Sequence, residues 1–146
     1  MNIKSDLLIA FSIVVVTIQS VPAKQSFDCR VTEPITAEPP HDPDADPFGE
    51  GPWFINGDRT IWAWAGPAGW NSSPTGIKVL WIRPEGKNLT IAGRRLDETA
   101  PPLSVDVPNG YPRSFQPTRL VIRSPGCWEI SATVGTSQLT FVTAVR

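Results

Sequence analysis

The sequence has few of the residues that nucleophilic catalysis needs. It contains one histidine, His41, and two cysteines in 146 residues. No serine lies in a Gly-x-Ser-x-Gly motif, and His41 lies in a loop-like stretch rich in Pro and Asp. A Ser-His or Cys-His pair held by a third group is therefore not indicated. We predict a protein that is not an enzyme, and nothing in the sequence indicates a cofactor.

Charge of one sign is also lacking. The chain has 13 Lys and Arg against 14 Asp and Glu, which gives a formal net charge of −1. A protein that binds nucleic acid or an anionic membrane surface usually carries a basic face. The near-neutral balance therefore predicts no nucleic-acid partner and leaves an unknown protein or a carbohydrate as the expected partner.

Long hydrophobic runs are absent. The longest apolar stretch, residues 7–18, is shorter than the roughly 20 residues of a transmembrane helix. Lys4 precedes this stretch, and Val21 and Ala23 follow it at the spacing of a signal-peptidase site. We predict that residues 1–23 are a secretory signal peptide, that the protein is secreted or periplasmic, and that no transmembrane segment remains after cleavage. The alternative is a buried N-terminal helix.

What the chain does have is period-two alternation of apolar and polar residues. Residues 118–145 read as three short strands separated by Pro125-Gly126 and by the turn at 135–137. One face of the second strand holds Trp128, Ile130, Ala132 and Val134, and one face of the third holds Leu139, Phe141 and Val145. Alternation of this kind predicts an antiparallel sheet with one buried face.

The remaining strands are predicted at residues 29–32, 60–65, 77–83, 88–92 and 103–107. The turn at 84–87 predicts that the strands on either side of it form a hairpin. The 16 prolines disfavour long helices, and no helical period is found. Seven or eight short strands predict an all-β, immunoglobulin-like β-sandwich. We expect an extended Pro- and Asp-rich segment at 24–58 and the single sandwich domain at 59–146.

The two cysteines predict one disulfide, Cys29–Cys127, because an exported chain folds in an oxidising compartment. The alternative is two free buried thiols. Alternation places Cys127 on the opposite face of its strand from Trp128. If Trp128 is in the core, the disulfide ties the N-terminal segment to the outside or the edge of the sandwich.

Tryptophan is abundant, with six residues. Trp81 and Trp128 lie in strands that are expected to pack, so we predict that both are core residues. Trp62 and Trp64 lie two apart in a strand and project to the same side. If that side is exposed, it forms a ligand-binding platform for sugar rings or a partner protein together with two flanking residues, Trp53 and Trp70. The alternative, which we favour, is burial under the Pro-rich N-terminal segment.

Three alternating carboxylates, Asp42, Asp44 and Asp46, resemble the start of a calcium-binding loop. The sixth position of that loop is Pro47 where Gly is expected, and the twelfth is Trp53 where Glu is expected. The sequence therefore favours a solvated acidic linker over a metal site.

A second charged cluster surrounds Arg94 and Arg95, which are followed by Asp97 and Glu98. The two arginines are candidates to hold an anion. The alternative, a local ion pair at a turn, is favoured.

Several fragments between residues 77 and 142 carry a resemblance. They include KVLWIRPEGKNLTIAGRRLD, NGYPRSFQPTRLVI and PGCWEISATVGTSQLTFV. The chain resembles a group of small secreted bacterial proteins of uncharacterised function, whose members end in a Pro-Gly-Cys-Trp-Glu segment followed by Leu-Thr-Phe-Val. The resemblance implies a secreted, immunoglobulin-like protein and implies no activity.

Overall fold

A computed structural model describes residues 27–43 and 49–146. The predicted signal peptide (1–23) and two residues of the acidic cluster, Asp44 and Asp46, lie outside the described residues. The described chain forms nine β-strands: β1 (Ile35–Ala37), β2 (Gly51–Ile55), β3 (Trp62–Trp64), β4 (Ile77–Ile82), β5 (Leu89–Arg95), β6 (Ser104–Asp106), β7 (Phe115–Val121), β8 (Gly126–Val134) and β9 (Ser137–Val145). Within those two ranges, no helix has the length and apolar character needed to span a membrane.

The strands form two antiparallel sheets. The larger has six strands in the order β1-β2-β3-β4-β7-β6, and the smaller has three in the order β5-β8-β9. Their inner faces pack together and form one hydrophobic core, because each strand turns alternate side chains toward the opposite sheet. The fold is therefore an all-β sandwich, as the alternation predicted.

The core contains the residues that the alternation selected. Trp128, Ile130, Ala132 and Val134 from β8, with Leu139, Phe141 and Val145 from β9, are all buried in it. Phe54 of β2 stacks on Phe141 across the two sheets, with ring centroids 3.9 Å apart. Trp81 and Trp128 are both buried here, which confirms that they are core residues. Burial of side chains of this size stabilises the fold by about 1.5–3 kcal/mol each.

Two strand pairings differ from the prediction. β4 and β5 do not form a hairpin: β4 pairs with β3 and β7, and β5 pairs with β8 in the other sheet. Likewise, β7 does not pair with β8, so the chain crosses between sheets at Pro125-Gly126. A turn signal shows that the chain reverses direction. It does not show whether the next strand pairs with the previous one or packs across the core.

Part of the segment predicted as a separate N-terminal extension, residues 24–58, belongs to the β-sandwich domain. β1 and β2 extend the six-stranded sheet, and Trp53 of β2 lies opposite Trp64 of β3. Asn56 forms the turn between them, with its Oδ1 accepting hydrogen bonds from the backbone N–H groups of Thr60 and Ile61. The predicted boundary at residue 58 therefore falls inside a hairpin, and the predicted strand at 29–32 is not formed.

The Cys29–Cys127 disulfide is present, with Cα atoms 5.6 Å apart. Cys127 is buried but lies outside the core between the sheets, opposite Ala144 on β9. Beyond Cys29, the backbone N–H of Thr32 donates to the carbonyl of Val142 (2.8 Å), and the Val142 N–H donates to Thr32 Oγ1 (3.0 Å). The disulfide thus fastens the N-terminal segment to the outside and edge of the smaller sheet, as predicted.

Candidate functional site

The tryptophans considered for a ligand platform do not form one. Trp62 and Trp64 do share the outer face of the six-stranded sheet, and Trp53 lies between them on that face. However, Trp53 is 0 % exposed and Trp62 is 2 % exposed, while Trp64 is half-buried. Trp70 lies elsewhere, in the core between the sheets, with its ring edge-on to Phe141 at 5.4 Å. The exposed four-ring platform is therefore ruled out by the burial of three of its members.

The outer tryptophans form a second small core. Trp53 meets Trp64 and Trp62 edge to face, at centroid distances of 4.9 and 6.1 Å. The Trp62 indole N–H donates to the carbonyl of Arg59 (2.7 Å), whose guanidinium lies 4.8 Å above the same ring. Trp64 lies directly over Gly51, where an added Cβ would be 1.8 Å from its ring. Only glycine fits at that position of β2, so the ring covers the strand backbone.

Asp42, the first carboxylate of the predicted calcium cluster, is 3 % exposed. Its Oδ2 accepts hydrogen bonds from the Ser114 hydroxyl (2.6 Å) and the Phe115 backbone N–H (3.1 Å). These bonds fix the N-terminal segment at the start of β7. The described residues hold no group of three or more potential His, Cys, Asp or Glu ligands for a metal ion. The favoured prediction of a solvated linker is thus wrong for Asp42, and the calcium alternative is not tested because Asp44 and Asp46 lie outside the described residues.

The paired arginines are held by the protein's own carboxylates. Arg94 pairs with Glu129 (2.8 Å), and Arg95 pairs with Asp97 (2.7 Å) and Glu98 (3.3 Å). The hydrogen bond from Arg95 holds the pKa of Asp97 at about 2, and the Cys127 backbone N–H also donates to this carboxylate. This arrangement matches the local ion pair rather than an open anion site.

A concave site lies at one end of the sandwich, where β4 ends and β5 and β7 begin. We call it the end groove; it has a volume of about 690 Å³. Its walls are the connection from β4 to β5 and the loop from β6 to β7. It is lined by Arg83, Gly86, Lys87, Asn88, Leu89, Val107, Pro108, Asn109, Gly110, Tyr111, Pro112 and Gln116.

Arg83 forms the floor of the end groove. Val79 and Trp81 of β4 point into the core, and Arg83 follows them on the same side, so its side chain extends along the end of the core. The residue is 5 % exposed. Desolvation lowers the pKa of Arg83 from its usual value, but an arginine side chain stays protonated in a protein.

The hydrogen bonds that the Arg83 side chain donates all have neutral oxygens as acceptors. Its guanidinium donates to the carbonyls of Pro84 (3.0 Å) and Tyr111 (2.6 Å) and to the side-chain oxygen of Gln116 (3.0 Å). The buried Nε–H has no hydrogen-bond partner among the described residues. No carboxylate of the described residues bonds to this buried cation, and such an arrangement is uncommon in proteins, since burial of an unpaired charge is costly.

Other bonds hold the two walls in place. The Gln116 side-chain amide donates to the carbonyl of Pro108 (3.0 Å), and the backbone N–H of Gly86 donates to the carbonyl of Pro112 (3.2 Å). Gly86 and Gly110 have φ angles of +64° and +94°, which glycine adopts without strain. The protein's own hydrogen bonds therefore hold the two walls of the end groove together.

The rim of the end groove carries charge and aromatic surface. Lys87 and the amide side chains of Asn88 and Asn109 are exposed there. Tyr111, one of the few exposed large apolar residues of the described chain, packs its ring edge-on against Phe115. Of these segments, the sequence pattern predicts only the turn at 84–87. The one sequence signal for the site is Arg83 itself, a charge at an inward position directly after an apolar strand.

The comparisons with known proteins identify no family. No family model and no curated protein matches the chain. A solved structure described as "X-ray Crystal Structure of a Putative Lipoprotein from Bacillus anthracis" is similar at 15 % identity and a TM-score of 0.44. The match covers 87 % of this chain and 97 % of that one.

Proposed function

We propose that this protein is a secreted or periplasmic binding module with an immunoglobulin-like β-sandwich, that it is not an enzyme, and that its ligand binds in the end groove. The observation that carries the proposal is the groove itself, whose two walls are joined by hydrogen bonds of Arg83, Gln116 and Gly86. Walls that the protein's own hydrogen bonds hold in place lose little conformational entropy when a ligand enters.

The immunoglobulin-like assignment is supported by the two-sheet architecture and by the repeated crossings between the sheets. Folds of this class gather their loops at the two ends of the sandwich and commonly bind partners there. The end groove is built from two such loops. The Cys29–Cys127 disulfide and the resemblance to small secreted bacterial proteins support an extracytoplasmic location.

A binding role fits the residues of the end groove better than catalysis does. The described lining includes no Ser, Thr, Cys, His, Asp or Glu side chain. Lys87 and Tyr111 are the remaining described lining side chains of types that serve as nucleophile or general base, and no hydrogen bond joins them. The lining instead combines a small apolar surface from Leu89 and Val107 with several polar side chains, which can form hydrogen bonds to a ligand.

The proposal is tested by mapping ligands on the ¹⁵N-labelled protein. A library of small neutral and charged fragments is expected to shift the backbone amide signals of Lys87, Asn88, Asn109 and Gly110. Tyr111→Ala, which removes the aromatic wall, is expected to weaken these shifts, whereas Thr133→Ala, an exposed change on β8, is expected to leave them unchanged. Fragment shifts that cluster instead on the indole N–H signals of Trp53, Trp62 and Trp64 would overturn the proposal.

A further inference from the structure

We infer that the end groove takes a small organic anion, with its carboxylate or phosphate group toward Arg83 and Lys87 and its body along the apolar wall. This inference rests on the proposed function, because it names the class of ligand for the same site. Two observations support it: the positive charge of the groove and the apolar surface next to that charge.

The groove is lined by two cations, Arg83 and Lys87, and neither forms an ion pair with a carboxylate of the described residues. Arg83 is almost fully buried and donates only to neutral oxygens, while the other described ion pairs use Arg30, Arg94 and Arg95. Lys87 adds a second cation at the rim, and the described lining residues include no carboxylate. A cleft that is lined by cations and has low-dielectric walls concentrates the electric field and attracts anionic ligands.

The two cations, Arg83 and Lys87, have different roles in binding the anion. The terminal nitrogens of Arg83 already hold the Tyr111 carbonyl and Gln116, and its Nε is buried. Arg83 therefore acts on the anion chiefly through its charge. Lys87, with the side-chain amides of Asn88 and Asn109, is exposed and supplies the direct hydrogen bonds.

The size and surface of the groove indicate a ligand larger than an inorganic ion. A volume of about 690 Å³ lies within the range of small-molecule sites. Leu89, Val107, Pro108 and Tyr111 form apolar surface next to the cations. An anionic group joined to an apolar or planar body would use both parts of the site.

The test uses three matched probes: benzoate, phenyl phosphate and neutral benzamide. Each is titrated into the ¹⁵N-labelled protein at fixed ionic strength, and the backbone amides of Lys87, Asn88 and Asn109 are followed. Benzoate or phenyl phosphate is expected to give saturable shifts there, and the stronger of the two identifies the preferred anionic group. Benzamide is expected to bind at least tenfold more weakly, about the value of one charge-assisted hydrogen bond.

Two variants test the roles of the cations. Lys87→Ala is expected to weaken anion binding about tenfold, while Arg123→Ala, which removes an exposed cation beyond the far end of β7, is expected to leave it unchanged. Arg83→Met keeps the chain length of the side chain and removes its charge. If this variant folds, it is expected to lose anion binding while still binding benzamide.

The outcomes separate this inference from the proposed function. If benzamide binds in the end groove as tightly as benzoate, or if Lys87→Ala binds anions like the wild type, the anion inference is wrong and the groove remains a binding site. If no probe and no library fragment shifts the groove amides, both are wrong.

Discussion

Replacement of Cys29 with alanine is expected to lower the free energy of unfolding by roughly 4 kcal/mol. The Cys29–Cys127 disulfide spans 98 residues, so it removes a large amount of conformational freedom from the unfolded chain. Its loss also frees the segment that holds the edge of β9 through Thr32 and Val142. Urea unfolding followed by circular dichroism measures the change.

Two controls belong with this experiment. Thr32→Ala removes only the side-chain bond to the edge of β9 and is expected to cost about 1 kcal/mol. Wild-type protein under reducing conditions is expected to unfold like the Cys29→Ala variant. If Cys29→Ala and oxidised wild type unfold at the same urea concentration, the disulfide does not stabilise the domain as we describe.

The second large effect concerns the outer face of the six-stranded sheet. Trp53→Ala is expected to lower the free energy of unfolding by about 3–5 kcal/mol, because it removes a fully buried indole from contact with Trp62 and Trp64. Chemical denaturation gives the value. A binding platform would behave differently, since an exposed ring contributes little to stability.

Trp64→Ala serves as the comparison on the same face. Its ring is half-buried, so its loss is expected to cost less than the loss of Trp53. Iodide is expected to quench the tryptophan fluorescence of the wild-type protein weakly. Strong quenching, together with near wild-type stability of Trp53→Ala, would show that the outer face is open and would restore the platform hypothesis.

The features that the sequence predicts correctly depend on local pattern. Alternation identifies the inner faces of β8 and β9, because a strand can bury only every second side chain on one side. The side of Cys127 follows from the same alternation, and the disulfide follows from there being only two cysteines in a chain that is predicted to be exported.

The features that it misses depend on contacts between distant segments. Nothing local shows that β4 pairs with β7 rather than β5, because the turn at 84–87 suits a hairpin and a crossing between sheets equally well. The Trp62 and Trp64 pattern gives a shared face but not what covers it. The end groove joins Arg83 to the carbonyl of Tyr111, 28 positions away, so no motif marks it.

The central claim, that the end groove binds an anionic ligand, is tested most directly by anomalous diffraction from crystals soaked in 4-bromobenzoate, an aromatic anion that carries an anomalous scatterer. We expect a bromine anomalous difference peak along the apolar wall of the groove, with the carboxylate toward Lys87, and we expect a weaker peak in Lys87→Ala crystals soaked at the same concentration. A peak at the exposed cations Arg119 or Arg123, with none in the groove, would contradict the account.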